Sequence, residues 1–265
     1  MPELPEVEQA RQVVEDALGR TITEIDDTDS YECRPHAPGE IADALVGGRL
    51  TVAHRRGKTM WCDTVTADGT DGPTLGIHLG MGGRVVVTDG SGEDTAPGAR
   101  EADKPEWTRF RMCFDDGGQL RLFDKRRLGR VRLEPDVDAL GPDAAEIDRD
   151  DFRERVGRSK APLKARLLDQ SVLAGVGNLL ADETLWQARL APGRRANTLS
   201  DDELDELRRV LRRATRAAIR HGGVHTGEVI SSRHADAECP RCGAEMERST
   251  VGGRTTWSCS REQRE

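Results

Sequence analysis

Leu168-Asp-Gln-Ser-Val-Leu-Ala-Gly-Val-Gly-Asn178 is the stretch of sequence that decides the fold of the C-terminal half. Helical patterns lie on both sides of it, over residues 161–169 and 179–190. Gly175 and Gly177 let the backbone approach a partner closely. The stretch predicts a helix, two turns and a second helix, with Asn178 as N-cap and the free N–H groups of the helix start open to a phosphate. On shape alone, a plain helical hairpin with a glycine-rich turn is the simpler interpretation.

The sequence before this stretch changes from a helical to a strand-like pattern. Apolar residues recur at helical spacing over residues 7–18, and Gly19 ends the pattern. Short β-rich runs then predict a compact antiparallel sandwich or barrel, at residues 50–52, 60–62, 75–77, 84–87, 110–114, 120–123 and 131–133. Residues 89–106 are rich in Gly, Asp and Pro and predict a loop. Helices return at residues 150–156 and 200–220, where Ser200 and Glu203 have capping-box spacing.

Composition sets limits on the class of protein. A length of 265 residues suggests about two domains. The net charge of -8 hides two basic segments, residues 121–132 and 153–166, and phosphate binding depends on such local surfaces. Aromatic residues make up only 3%, which argues against base stacking as the main binding mode. The apolar runs are too short to span a bilayer, no signal peptide is evident, and the scattered cysteines fit a reducing cytoplasm.

The N-terminal stretch Met1-Pro-Glu-Leu-Pro-Glu-Val-Glu8 places a proline directly after the initiator methionine. Removal of Met1 would give Pro2 a free secondary amine, and an α-amine titrates at about pH 8, so that a fraction is uncharged at neutral pH. An uncharged amine attacks an aldehyde-like carbon and forms an iminium, with Glu3 beside it as a proton donor. Ordinary helix-start chemistry explains the same residues without catalysis.

Five segments in the same order resemble the Fpg/Nei family, the formamidopyrimidine and endonuclease VIII type DNA glycosylases. They are the first eight residues, Arg56-Gly-Lys58, Ile77-His-Leu-Gly-Met-Gly-Gly83, the 168–178 stretch and a C-terminal cysteine cluster. The resemblance implies an α+β fold with two domains, an N-terminal antiparallel β-sandwich with flanking helices and a C-terminal helix–two-turn–helix domain plus a zinc-ribbon hairpin. We expect the sandwich at residues 1–135, a linker at 136–149, the helical domain at 150–225 and the ribbon at 235–265.

The resemblance also implies the catalytic residues. Pro2 corresponds to the nucleophile, and Glu3 to the residue that donates or relays a proton to the sugar. Lys58 matches a lysine that faces the scissile phosphate. Arg254 matches an arginine at a hairpin tip, which contacts phosphates of the damaged strand and has a role in the second elimination.

Further residues are implied to contact DNA. Met81 matches the residue that fills the gap left by an extruded base, and Leu128 stands where the formamidopyrimidine branch usually has Phe. Arg126 matches the arginine that pairs with the orphaned base. Lys164 and Asn178 match phosphate ligands near the lesion, while Glu6 supports the site or contacts the nucleotide.

The C-terminal cysteines have the spacing of a zinc ribbon up to the third ligand, Cys239, Cys242 and Cys259. In the family pattern a fourth cysteine follows three residues later, and here that position is Glu262. Either Glu262 or His234 completes a tetrahedral site. We expect one structural zinc ion per chain with Glu262 as fourth ligand, and folding of the ribbon without metal is the alternative.

The sequence therefore predicts a bifunctional DNA glycosylase and abasic-site lyase of base excision repair, a monomer that acts on damaged double-stranded DNA in the cytoplasm, with the nucleoid. The segment between residues 222 and 239 is shorter than the family loop that covers an oxidised purine, which argues against 8-oxoguanine recognition. Abasic sites, formamidopyrimidines and oxidised pyrimidines remain as the candidate substrates. The alternatives are a non-catalytic or lyase-only damaged-DNA-binding paralogue and a zinc-ribbon transcription accessory protein.

Overall fold

A computed structural model describes residues 1–95 and 104–264 of the chain. The chain divides into two compact units. The first contains residues 1–2 and 7–137, and the second contains residues 3–6 and the chain from Asp138 onward. The first unit is built mainly of antiparallel strands, and the second of helices and one hairpin, so the predicted α+β class is confirmed. The finer domain boundaries stay predictions.

The first unit is a β-sandwich. Its strands are, in chain order, β1 (Ile22–Asp26), β2 (Arg49–Arg56), β3 (Thr59–Val65), β4 (Asp71–His78), β5 (Arg84–Val87), β6 (Thr108–Phe114), β7 (Gln119–Phe123) and β8 (Arg130–Leu133). Within the described residues they form two four-stranded sheets, with the orders β1-β6-β7-β5 and β2-β3-β4-β8. Burial alternates residue by residue along β3 and β6, as expected when one face of a strand packs on the core.

The core of the sandwich draws on both sheets. Leu50 and Ile77 contribute from one sheet, and Phe110 and Met112 from the other. Helices α1 (Leu4–Glu15) and α2 (Glu40–Leu45) add further apolar side chains. The buried carboxylate of Asp27 accepts hydrogen bonds from backbone N–H groups at the start of α2, which the sequence patterns did not reveal.

The second unit consists of α3 (Arg149–Gly157), α4 (Leu163–Leu168), α5 (Asn178–Gln187), α6 (Asp201–His221) and the hairpin β9 (Met246–Val251) and β10 (Arg254–Cys259). Ser200 and Glu203 form the predicted capping box of α6. The predicted N-cap of α5 was wrong, because Gly177 is the N-cap and Asn178 is the first helical residue. In the described part of the chain, no helix combines the length and the apolar character needed to cross a membrane.

Most predicted elements appear within a few residues of their expected ends. Helix α1 begins at Leu4, three residues before the start of the apolar pattern. Residues 3–6 belong to the second unit, so they do not follow the apolar pattern that faces the core of the first unit. Part of the predicted loop at 89–106, residues 96–103, lies outside the described residues. On its flanks the structure has a bridge between Thr88 and Asp94 and a 3-10 turn over Pro105–Trp107.

Candidate functional site

The N-terminal segment is held by a carboxylate at the start of α5. Glu3, which is 1% exposed, accepts hydrogen bonds from the backbone N–H groups of Gly177, Leu179 and Leu180 at 2.9–3.1 Å. Leu4 adds a backbone hydrogen bond to Gly175. A negative charge at a helix N-terminus is favourable, since unpaired N–H groups and the helix dipole both point toward it. The 174-residue separation in sequence shows that this cap is tertiary.

This cap corrects the expectation that the start of α5 offers free N–H groups to a phosphate. The anion at that helix end is the chain's own Glu3. Gly177 also gains a specific role, because a Cβ atom built there would lie 2.2 Å from the Glu3 carboxyl carbon. Only glycine leaves room for the capping carboxylate.

Glu6 extends the same arrangement. Its carboxylate accepts from the backbone N–H of Glu3 at 3.0 Å and from the N–H of Val224 at 2.6 Å, in the turn that follows α6. Glu6 therefore fixes the backbone of the N-terminal residues. Met1 is 47% exposed, and Pro2 is partly exposed, so the bond that joins them lies at the surface.

Lys164 is fully buried, although the resemblance implies a phosphate contact. Its ammonium pairs with Asp182 at 2.6 Å and donates to the Thr255 carbonyl at 3.1 Å and the Thr256 hydroxyl at 2.9 Å. Burial lowers its pKa, an effect that Asp182 opposes. Lys164 thus has two hydrogen-bond acceptors and one ion-pair partner inside the protein, and a phosphate contact stays a prediction.

Asp182 is the centre of this buried network. Besides Lys164, its carboxylate pairs with Arg233 at 2.8 Å and accepts from the Trp257 N–H at 3.3 Å. The network joins α4 and α5 to the β9–β10 hairpin. The sequence patterns did not single out Asp182, because an acidic residue within a helix is usually exposed.

Asn178 and Arg254 lie next to this network, where Asn178 contacts β10 and Arg254 is the first residue of that strand. The Asn178 side chain donates to the Thr255 carbonyl at 3.0 Å, and Thr255 follows Arg254 directly. The hairpin turns through Gly252 and Gly253, with φ of 58° and 72°, as a tight two-residue turn requires. Arg254 is exposed at the end of this turn. The structure therefore brings together Glu3, Glu6, Lys164, Asn178 and Arg254 in the second unit.

Lys58 and His78 are neighbours in the first unit. Lys58 lies in the two-residue turn between β2 and β3, after Gly57 with φ of 60°. The residue after Lys58, Thr59, pairs with His78 across β3 and β4. Burial lowers the pKa of His78, and the charges of Lys58 and Arg132 lower it further. His78 accepts from the Gly80 N–H at 3.0 Å, which leaves its other ring nitrogen as the donor.

Met81 and Leu128 are two exposed apolar side chains on adjacent turns. They are 42% and 41% exposed. Gly80 has φ of 57°, and a Cβ atom there would lie 2.4 Å from the Leu128 backbone, so the two turns touch. Arg126 is exposed in the same turn as Leu128. A paired apolar projection with a cation beside it is the surface that a base-gap wedge needs.

The three ribbon thiols lie together. The sulfur atoms of Cys239, Cys242 and Cys259 are within 4.8 Å of one another. Burial alone raises the pKa of Cys239, but a hydrogen bond from Trp186 Nε1 and backbone N–H donors bring it down to about 7. Three converging thiols, one of them with a lowered pKa, are the donor set that zinc prefers.

Glu262 lies beside this cluster but points elsewhere. Its carboxylate accepts from Arg241 at 2.8 Å, while its backbone N–H donates to Cys259 Sγ at 3.4 Å. The other candidate ligand, His234, contacts the carbonyl of Ala235 through Nδ1. Arg241 itself covers the Trp186 ring at 4.0 Å. The structure therefore gives three thiols a common site and gives the Glu262 carboxylate an arginine partner.

Two family models match the chain. The formamidopyrimidine-DNA glycosylase N-terminal domain matches residues 1–131, and the formamidopyrimidine-DNA glycosylase H2TH domain matches residues 139–229. The ribbon follows the second match.

Relatives that match nearly the full chain are also named formamidopyrimidine-DNA glycosylase. The formamidopyrimidine-DNA glycosylase of Chloroflexus aggregans is 35% identical over 98% of this chain and 97% of its own length. That of Herpetosiphon aurantiacus is 34% identical over 98% of both. Among solved structures, Lactococcus lactis Fpg with abasic-site DNA has a TM-score of 0.81 at 27% identity, covering 99% of this chain and 100% of the other. The complex of the same enzyme with DNA containing an oxidised pyrimidine has a TM-score of 0.80 at 28% identity, with full coverage of both chains.

The buried network gives a stability prediction. Lys164→Met removes one partner of Asp182 and leaves Arg233, so we expect a loss of about 3 kcal/mol in urea unfolding, at the lower end for a broken buried pair. Adding Asp182→Asn should deepen this loss, since it leaves Arg233 without its carboxylate partner. Lys160→Met, at an exposed lysine nearby, is the control, with a change within about 0.5 kcal/mol. Equal unfolding midpoints for Lys164→Met and the control would show that the pair contributes nothing.

Proposed function

The chain belongs to the formamidopyrimidine-DNA glycosylase family, and from this premise we propose that it removes damaged bases from duplex DNA and then cleaves the strand. The observation that carries the proposal is the Glu3 cap on α5, because it fixes the residue next to Pro2 at the start of the second helix of the helix–two-turn–helix motif. Such an arrangement holds an N-terminal amine at a fixed place, as covalent catalysis requires.

The proposed reaction begins when Met1 has been removed. The Pro2 nitrogen attacks C1′ of the damaged nucleotide, the bond to the base breaks, and a covalent iminium forms. Glu3 relays a proton to the sugar as the ring opens. In the free protein the Glu3 carboxylate only accepts hydrogen bonds. A carboxylate has about four acceptor sites, so Glu3 can keep these three bonds and still face the sugar oxygen during this step.

The iminium then makes strand cleavage possible. It acts as an electron sink and acidifies C2′, so that the 3′ phosphate leaves by β-elimination. A second elimination expels the 5′ phosphate, and Arg254 is proposed to stabilise the negative charge of that leaving group. Lys58 is proposed to hold the scissile phosphate. Both are cations at turns, where a long side chain reaches a backbone phosphate.

Base extrusion is assigned to the exposed turns of the first unit. Taking a base out of the stack costs a few kcal/mol. Met81 and Leu128 are proposed to fill the gap, and Arg126 to pair with the orphaned base, which offsets part of this cost. Their position on touching turns supports these roles, because two exposed apolar side chains side by side form a patch rather than isolated surface residues.

The substrates proposed are abasic sites, formamidopyrimidines and oxidised pyrimidines. Structures of Lactococcus lactis Fpg, a structural neighbour, contain abasic-site DNA and oxidised-pyrimidine DNA, and a mutant of it is in complex with Fapy-dG DNA. In this chain, two short 3-10 turns, Val224–Thr226 and Ile230–Ser232, occupy the segment between α6 and Cys239. Such a compact segment supports exclusion of 8-oxoguanine, which needs a longer covering loop.

A lyase-only or non-catalytic DNA-binding paralogue is the second candidate. The altered ribbon and the short segment after α6 motivate it. The joint presence of Pro2, Glu3 and Lys58 favours the enzyme, since simple binding requires no N-terminal amine. The DNA partner is consistent with the proposed nucleoid-associated cytoplasmic location, and the monomeric state also stays a prediction.

We further propose that the three thiols hold one structural zinc ion. The donor set fits zinc, and a bound ion would fix the ends of the hairpin that carries Arg254. Glu262 is the proposed fourth ligand, because its backbone already contacts Cys259. Its carboxylate must leave Arg241 to take this role, so the fourth bond competes with a salt bridge.

Borohydride trapping tests the nucleophile. With abasic DNA, we expect a covalent complex whose adduct maps to Pro2, because borohydride reduces the iminium to a stable amine. Pro2→Gly keeps an N-terminal amine and should weaken trapping without abolishing it. Full-yield adduct formation by a protein with a blocked N-terminus would rule out this nucleophile.

Glu3→Gln separates base excision from strand cleavage. Loss of proton transfer should slow excision by roughly 10²–10⁴-fold in single-turnover assays. Cleavage at pre-formed abasic sites should largely persist, since the iminium drives elimination. That persistence also shows that the weakened cap has not unfolded the protein. An unchanged excision rate contradicts the role of Glu3.

Elemental analysis tests the zinc site. We expect one zinc per chain in protein purified without chelator, with tighter binding in Glu262→Cys and weaker binding in Glu262→Ala. Glu247→Ala, at an exposed position on β9, is the matched control. Absence of zinc, with undiminished DNA binding by Cys239→Ser, would mean that packing around Trp186 and Trp257 alone folds the ribbon.

A further inference from the structure

A buried carboxylate organises the loop that carries Arg126 and Leu128. Residues 124–129, here called the wedge loop, wrap around Asp124, which is 1% exposed. Its Oδ1 accepts from the Arg126 N–H at 2.8 Å. Its Oδ2 accepts from Leu128 at 2.8 Å and Gly129 at 2.9 Å. The shape of the wedge loop therefore depends on one acidic side chain.

A second acid, Glu32, is buried against the first. Glu32 is 0% exposed, and its carbonyl accepts from the Val131 N–H at 2.8 Å, at the start of β8. A Cβ atom built on Gly129 would lie 2.5 Å from Glu32 Oε2, so the carboxyl presses on the wedge loop itself. Among residues 1–95 and 104–264, neither Glu32 oxygen has a hydrogen-bond donor. The N–H of Gly129, the residue on which Glu32 packs, is bonded to Asp124.

Two adjacent buried carboxyls are stable only if they share a proton. An isolated buried carboxylate without donors is costly, and a second negative charge beside it adds repulsion. A neutral Glu32 solves both problems, because its O–H can donate to Asp124, which retains lone pairs beyond its three backbone donors. Asp124 then keeps the charge that holds the backbone of the wedge loop.

The surrounding charges leave Glu32 as the neutral partner. Asp29, on the same turn as Glu32, pairs with Arg127 at 2.9 Å and lies 3.7 Å from Arg109. Arg109 also donates to the Asp124 carbonyl at 2.8 Å. Further neighbours are the buried thiol of Cys33, His78, whose carbonyl faces Gly129, and Arg130, whose guanidinium donates to the Gly129 carbonyl. The three arginines are thus engaged by Asp29 and by backbone oxygens, and none of them bonds Glu32.

We propose that Glu32 is a positioning residue for the wedge loop, which it holds in shape by donating its proton to Asp124. The inference rests on the proposed function for the roles of Arg126 and Leu128. When Glu32 loses its proton, two carboxylates face each other, and the loop that presents the wedge loosens. Binding of damaged DNA then weakens although no group that touches DNA has changed.

The direction of the pH dependence follows from the pKa of Glu32. Burial, then the charge and hydrogen bond of Asp124, raise this pKa to about 8. A raised carboxyl pKa means that the folded protein holds the proton more tightly than the unfolded chain. The stabilising effect is therefore complete at acidic pH, declines as the pH rises and is lost above about pH 8.

The test compares the wild type with Glu32→Gln, whose amide donates to Asp124 at every pH. The probe is a duplex with a tetrahydrofuran abasic analogue, which requires binding but no chemistry. Between pH 7 and pH 9, we expect the affinity of the wild type to fall about tenfold relative to Glu32→Gln, since one pH unit above the pKa leaves about a tenth of the molecules protonated. Glu24→Gln, the same change at an exposed glutamate of β1, should follow the wild type.

Two measurements on the free protein separate this inference from the proposed function. Carboxyl NMR of the wild type should show Glu32 titrating near pH 8. Hydrogen exchange at the amides of Leu128 and Gly129 should accelerate, beyond the intrinsic pH effect, in the wild type but not in Glu32→Gln. Titration of Glu32 below pH 6, or identical pH profiles of the two proteins, overturns the inference. Loosening of the loop without any DNA binding would instead place the failure in the proposed function.

Discussion

The fold of the second unit depends on a carboxylate that arrives from the other end of the chain. Glu3 accepts three hydrogen bonds at the start of α5 through its two carboxylate oxygens, where the N-cap residue Gly177 has no side chain to do so. A helix start left without acceptors is costly when buried, and here Gly177 and Leu180 are both buried. The cap thus stabilises a structural helix and, through the same bonds, holds the segment on which covalent chemistry is proposed.

Local patterns predicted those elements whose stability is local. Short β-rich runs identified every described strand of the sandwich except β1, and the Ser200–Glu203 box identified the start of α6. The cap of α5 was misassigned to Asn178, because a sequence window sees a suitable side chain at the helix start but not an acid 174 residues away. Helix α2 escaped prediction for the same reason, since its N–H groups are satisfied by the distant Asp27.

In the candidate site too, the sequence indicated some residues, whereas the surroundings of others are visible only in the structure. The resemblance indicated Met81 and Leu128, and the structure places both on touching exposed turns. The resemblance did not indicate His78, although that residue lies within the same motif as Met81. Neither the burial of Lys164 nor the pairing of Glu262 with Arg241 could be read from spacing. Both depend on which opposite charge the fold brings close, and charge pairing across elements has no short-range signature.

The absence of a side chain at position 177 has an evolutionary consequence. Because a methyl group there would collide with the Glu3 carboxyl, alanine at 177 becomes acceptable only with a shorter residue at position 3. The two positions constrain each other's substitutions. Relatives that retain a glutamate after the N-terminal proline should retain the glycine, and substitutions at the two positions should be correlated.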